Sequence, residues 1–159
     1  MTNDARQVAN WFVERFRKDG RSLSVMELLK LTYIAHGWHL EIFGTPLFEN
    51  RIEAWRHGPV IPDVYNAFRS QGQDVREPVP GFARLGNESD IDLLEQVYGI
   101  YGEYNAYQLS DLTHVPGGPW HVTMEIGGPF TRIPDSVIKQ HYVERRARLK
   151  RARSANVDG

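Results

Sequence analysis

The densest run of apolar residues extends from Ser24 to Phe43 and follows the 3.6-residue period of an α-helix. On a helical wheel its apolar side chains form two adjacent stripes that together cover more than half of the circumference. A helix with so much apolar surface must be surrounded by other elements, so the pattern predicts a central, nearly buried helix. The stripes are Leu28, Leu31, Ala35, Trp38 and Ile42, and beside them Leu29, Tyr33, His36, Leu40 and Phe43.

Both ends of this helix carry sequence signals. Ser24 followed by Glu27 has the spacing of a capping box, and Gly44 stands where a left-handed C-terminal residue is expected. The predicted helix therefore spans about residues 24–43.

The rest of the pattern predicts a mainly α fold. Alternating residues predict a short strand at 51–56, and a second short strand fits at 82–85. We therefore expect a single compact domain built round the helix at 24–43, with one small β-hairpin or sheet element. Amphipathic or capped segments predict the other helices, at 4–18, from Pro62 to about Gly72, from Ser89 to about Glu103, from Asn105 to about His114, and from Pro134 onward.

Composition narrows the class of protein. A chain of 159 residues with 41% hydrophobic and 25% charged residues is ordinary for one globular domain. It has no cysteine, which excludes disulfides, a thiolate nucleophile and cysteine-type zinc sites. Because the amino terminus lacks a secretory pattern and no apolar run approaches membrane-spanning length, we expect a cytoplasmic protein without a membrane anchor.

Basic charge is concentrated near the C-terminus. Residues 139–153 hold seven basic residues against one acidic residue, while the rest of the chain is acidic. We expect a domain at 1–150 and a basic, disordered tail at 151–159. The basic segment could contact nucleic acid or an acidic partner surface, or it could be a solvated helix end. The residues of the nucleic-acid alternative are Arg145, Arg146, Arg148, Lys150 and Arg151.

Six histidines raise the question of a metal or acid–base site. His36 and His39 are close enough on one helix to share a metal, but no third ligand follows at a recognisable spacing. Asp111 lies one turn before His114 and could orient it as a general base, yet no nucleophile motif accompanies the pair. We therefore expect no metal, no catalytic set and no enzyme activity.

Nucleotide-binding motifs are absent as well, so no cofactor is expected. The four tryptophans and seven tyrosines are numerous for a domain of this size. Those left at the surface would form hot spots for protein binding, which favours a binding role.

Three runs in the middle of the chain carry a family resemblance: L-L-K-L-T-Y-I-A-H-G-W-H-L, then G-T-P-L-F, then R-I-E-A-W-R-H-G-P-V-I-P-D-V-Y. Together with L-S-D-L-T-H and the later P-W, they resemble the Panacea (SocA-like) antitoxin domain, which also occurs in phage-associated GepA-like proteins. The resemblance covers about residues 8–142. It implies a helical antitoxin that binds and neutralises a toxic protein. In the SocA branch it further implies an adaptor that delivers the toxin to the ClpXP protease.

The resemblance also implies candidate partner-binding residues and no cofactor. Gly58 and Pro59 are residues that a sharp turn requires in any case, so some matched positions are framework candidates. We expect the segment from Trp55 to Tyr65 to form part of the toxin-binding surface. The matched positions are Trp55, His57, Gly58, Pro59, Val60, Pro62, Tyr65, His114, Pro119 and Trp120.

Overall fold

Helix α2 (Val25–Phe43) lies at the centre of the molecule in the computed structural model, which describes residues 2–158. Its ends are as the sequence predicts: Ser24 and Glu27 form a capping box, and Gly44 is left-handed with φ +74°. Lys30 and Ile34, which lie outside the two apolar stripes, are buried too. Burial therefore runs round the helix from Leu28 to Leu40, whereas Met26 and Glu27 in its first turn are half-buried and Phe43 at its end is 44% exposed.

Within the described residues six further helices accompany α2, and α1, α3, α4, α5 and α7 pack directly on it. This arrangement confirms the predicted mainly α, single-domain fold. The helices are α1 (Ala5–Lys18), α3 (Pro62–Phe68), α4 (Glu88–Tyr101), α5 (Ala106–Thr113), α6 (Pro119–Gly127) and α7 (Asp135–Asp158), with a 3₁₀ turn at Arg69–Gln71.

A small antiparallel sheet lies at one side of the helices. Strands β1 (Glu53–Trp55) and β2 (Gly58–Val60) form a hairpin, and β3 (Thr131–Arg132) pairs with the other edge of β1, giving the order β2-β1-β3. The predicted strand at 51–56 is thus confirmed, and its partners are β2 and β3.

The second predicted strand, at 82–85, is wrong. This segment is irregular, and a side chain of α1 rather than a neighbouring strand binds its backbone. Gln7 donates to the carbonyl of Ala83 at 2.8 Å, and Asn10 forms a two-way hydrogen bond with the backbone of Val79 just upstream. The local sequence does not show that hydrogen bonds from a distant helix hold such a segment in place.

The basic C-terminal segment also differs from expectation. Helix α7 continues through it to Asp158, where the composition predicts a disordered tail. Alanine, arginine, lysine and leucine have high helix propensity, which explains the continuation of the helix beyond its packed first half.

Helix α7 is positioned by a close approach at Gly37. A Cβ atom at this position would overlap the ring of Tyr142, which packs directly against the glycine. The same ring meets Trp38 edge-on with centroids 4.8 Å apart, and its burial raises the pKa of Tyr142 well above the usual range. The close contact between α2 and α7, which we call the α2–α7 seam, therefore depends on Gly37. This contact sets the direction in which the second half of α7 continues.

Candidate functional site

The tight turn between β1 and β2 brings the family-matched residues together. Trp55 pairs with Gly58 across the hairpin, and His57 is exposed at its tip. Gly58 has φ +123°, and a Cβ there would lie 2.9 Å from Cε1 of His114. Both its backbone conformation and its closeness to His114 thus require glycine.

His114 ends α5 and is a structural residue in this geometry. Its Nδ1 donates to the carbonyl of Ser110 at 2.7 Å, and its ring lies 4.3 Å from that of Trp120. Within residues 2–158, no hydrogen bond joins it to Asp111, so the arrangement that would make it a general base is not formed.

Trp120 links α6 to the hairpin. Its indole N–H donates to the carbonyl of Trp55 at 2.7 Å, and the indole N–H of Trp55 donates to Glu53 at 2.9 Å. The signature residues that lie more than 50 positions apart in the chain are therefore neighbours in space.

An aromatic group covers the outer side of the hairpin. The ring of Trp55 meets Tyr65 edge-on at 5.1 Å and Phe130 at 5.5 Å. Phe130 is 62% exposed and has the left-handed φ of +68°, held by its N–H donating to the carbonyl of Ala54 at 2.7 Å. We call Trp55, His57, Tyr65 and Phe130 the hairpin face.

Burial separates the matched residues into two groups. Gly58, Pro59 and Val60 of β2 and Pro119 at the start of α6 are buried, so they belong to the framework and cannot contact a partner in this conformation. The accessible ones are His57, which is exposed, and the half-buried Trp55, Pro62, Tyr65, His114 and Trp120.

Sequence reasoning missed Phe130. It follows Gly127-Gly128-Pro129, and an aromatic residue directly after such a turn is a signal that could have identified it. Its place on the hairpin face depends on β3 pairing with β1, which no local pattern indicates.

The two histidines of α2 are bound to other protein groups. Nε2 of His36 lies 2.8 Å from Asp135, and its ring stacks on Phe48 at 4.2 Å. His39 lies between the carbonyl of Thr45 at 2.6 Å and Asp90 at 2.9 Å. Among the residues described, no three or more histidine and acidic side chains come together in a group that could hold a metal ion.

The basic residues of α7 divide between two faces of the helix. Arg145, Arg146 and Lys150 line a groove between α4 and α7, whereas Arg148 and Arg151 do not. Arg146 also pairs with Glu41 and lies over the ring of Trp38 at 5.4 Å. The structure thus does not gather the five residues of the nucleic-acid alternative on one surface.

No helix within residues 2–158 has the length and apolar character needed to cross a membrane.

Comparisons with known proteins agree with the resemblance. The family model described as "Antitoxin SocA-like, Panacea domain" matches residues 28–121. Antitoxin SocA of Caulobacter vibrioides (strain NA1000 / CB15N) is 34% identical over 156 residues, covering 87% of this chain and 82% of that protein. No solved structure matches the chain.

Proposed function

Because the chain belongs to the SocA-like Panacea family of antitoxins, we propose that it neutralises a toxic partner protein by binding it directly. The hairpin face makes part of the contact. Neutralisation then takes place in the cytoplasm and needs no catalysis by this chain.

The observation that carries the proposal is the exposure of aromatic side chains on a rigid turn. Phe130 is 62% exposed although its left-handed backbone would suit glycine better. Trp55 beside it is half-buried, with its backbone carbonyl held by Trp120. Rigid aromatic anchors are the side chains that contribute most to protein–protein binding, because little freedom is lost when they are covered.

The first experiment expresses the gene adjacent to this one, alone and together with it. We expect the neighbouring protein to stop growth by itself, and co-expression to restore growth with a stable complex of the two proteins. A harmless neighbour that does not co-purify would contradict the proposal.

The second experiment tests the surface. Phe130→Ala should weaken the complex by about 2 kcal/mol, the loss typical of a central aromatic anchor. Tyr107→Ala is the matched control, since Tyr107 is an exposed aromatic residue on α5 with 83% exposure. Calorimetric titration of both variants should show the loss for Phe130→Ala alone. Equal affinities would exclude the hairpin face as the contact.

We further propose that the complex is handed to a ClpXP-type protease, as the resemblance to the SocA branch implies. Repeating the growth rescue in cells without that protease separates two mechanisms. Loss of rescue supports delivery of the toxin for degradation, whereas full rescue indicates that binding alone neutralises it.

A further inference from the structure

A groove of about 600 Å³ lies between α4 and α7, both of which pack on α2. Apolar side chains from all three helices line it, and several are unusually accessible: Ile42 is 44%, Ile100 58% and Leu149 50% exposed. Trp38 and Val97 form its buried floor. Side chains of this kind are normally covered when they lie side by side, so the groove is suited to a partner.

The rim of this groove is basic. Arg145, Arg146, Lys150 and Arg153 line it, and no acidic side chain does so among the residues described. Of these four cations, Arg146 alone is joined to a carboxylate of the described side chains, that of Glu41. The groove therefore has an excess of positive charge, although residues 1–138 of the chain are acidic overall.

The arrangement of charge favours a protein segment over a nucleic acid. On α7, Leu149 lies between Arg145 and Arg153 on the groove side, while Arg148 and Arg151 point elsewhere. A phosphate backbone would use all these cations and leave Ile100 and Leu149 uncovered. An amphipathic helix uses both features, since its apolar stripe covers the floor and its flanking carboxylates meet the rim.

The size of the groove also suits a helix. Its α4 wall runs from Leu93 to Tyr101 and its α7 wall from Arg145 to Arg153, each corresponding to about 13 Å of helix length. A segment of two to three turns would lie along it and insert apolar side chains at helical spacing.

We propose that this groove binds an acidic amphipathic helix of the partner protein. The assignment of that helix to the toxin rests on the proposed function. The kind of segment that the groove binds is inferred from its lining residues alone. Binding should weaken as salt is added, because exposed charges are screened.

The test uses a labelled peptide of about 18 residues, long enough for the groove at 1.5 Å per residue, with leucines along one helical face and glutamates elsewhere. A second peptide carries lysine in place of glutamate. Fluorescence anisotropy at low ionic strength should show binding of the acidic peptide and none of the basic one. Failure of the acidic peptide to bind would overturn the proposal.

Matched charge reversals on α7 locate the binding. Lys150→Glu/Arg153→Glu changes the groove rim, and Arg148→Glu/Arg151→Glu makes the same change in net charge outside it. We expect the first variant to bind the peptide about tenfold more weakly or worse, and the second within about threefold of the wild type. Equal weakening in both would mean unspecific attraction to the basic helix and would contradict the groove.

An uncharged variant and a competitor complete the test. Ile100→Gln should weaken peptide binding severalfold at unchanged charge, because Ile100 contributes exposed apolar surface. A duplex DNA oligonucleotide that binds more tightly than the peptide would overturn the proposal in favour of nucleic acid.

Failure of the proposed function can be recognised separately. If the peptide binds the groove but the neighbouring protein is not neutralised, the groove assignment stands and the antitoxin mechanism fails. If the neighbouring protein is neutralised equally by the wild type and by Lys150→Glu/Arg153→Glu, and the peptide is not bound, the antitoxin mechanism stands and the groove assignment fails.

Discussion

The hairpin face and the α4–α7 groove are two accessible surfaces built in opposite ways. The hairpin face is held by backbone geometry: Gly58 approaches His114, Trp120 donates to the carbonyl of Trp55, and Phe130 has a left-handed φ. The groove is bounded by helices that lie on α2, and its lining consists of side chains that can be changed without altering a turn.

Because of this difference, substitutions on the two surfaces affect folding and partner binding to different extents. Around the hairpin, several of the family-matched residues are buried framework. Replacing one of them would disturb the fold, so a loss of binding could not be assigned to a lost contact. Along the groove, the accessible residues are free to vary. Framework lies beneath it, in the buried floor and in the Gly37–Tyr142 contact that holds α7 against α2.

The largest effect is expected at that contact. Gly37→Ala forces the ring of Tyr142 away and should lower the free energy of unfolding by about 3 kcal/mol, as in other overpacked cores. Gly99→Ala on α4 is the control, because a Cβ there meets nothing within 4 Å and should stabilise by up to about 1 kcal/mol. Urea unfolding of both variants measures the difference, and similar values would mean that the seam is loosely packed.

Gly58→Ala should have the next largest effect, about 2 kcal/mol of destabilisation from its φ of +123° and the clash with His114. Gly81→Ala separates these causes, since Gly81 has φ +92° but open space around it. Thermal unfolding should place Gly58→Ala below Gly81→Ala. Equal unfolding temperatures of the two variants would contradict a tight approach of Gly58 to His114.

Trp120→Phe removes the hydrogen bond to the carbonyl of Trp55 while keeping an aromatic ring. We expect a loss of about 1 kcal/mol of stability, the usual net value of such a bond. Trp11→Phe is the comparison, since the indole N–H of Trp11 has no hydrogen-bond partner among the described residues. A difference near zero in denaturant unfolding would show that Trp120 does not brace the hairpin.

Lys150→Glu/Arg153→Glu should leave the fold almost unchanged, within about 0.5 kcal/mol, because both side chains are exposed. Circular dichroism and thermal unfolding provide the measurement. A large loss of stability would mean that these residues support the fold, so the groove would then not differ from the hairpin in how far its residues can be replaced.

The smallest effect concerns His141 on α7. Burial lowers its pKa, and the charges of Arg145 and Arg148 lower it further. The unfolded chain therefore binds this proton more readily, so His141 makes the fold less stable as the pH falls through the ordinary histidine range near 6.5. Arg148→Glu should raise the pKa of His141, as followed by NMR titration. An unchanged titration would show that the charge on Arg148 is screened at that site.

Much of the fold could be predicted because its signals are local. Periodicity, the Ser24–Glu27 capping box and Gly44 located α2, and alternating residues located β1. Its hairpin partner β2 was not predicted, because Gly58 and Pro59 are residues typical of a turn rather than of a strand. The predicted strand at 82–85 was wrong because the hydrogen-bond partner of its backbone is the side chain of Gln7, which is distant in sequence and not part of a strand.

The candidate site was predictable only in part. The family motifs contain Trp55, His57 and Tyr65, but they also contain residues that the structure buries. Phe130 was missed because its position depends on pairing between β1 and β3.

The buried helix at the centre of a mainly α domain, and the antitoxin family of that domain, could be predicted because contiguous residues carry those signals. The outward-facing signature residues, and the groove that Ile100 of α4 and Leu149 of α7 share, could not be predicted without the packed molecule. Packing between elements depends on contacts across long sequence separations, and local propensity contains no information about them.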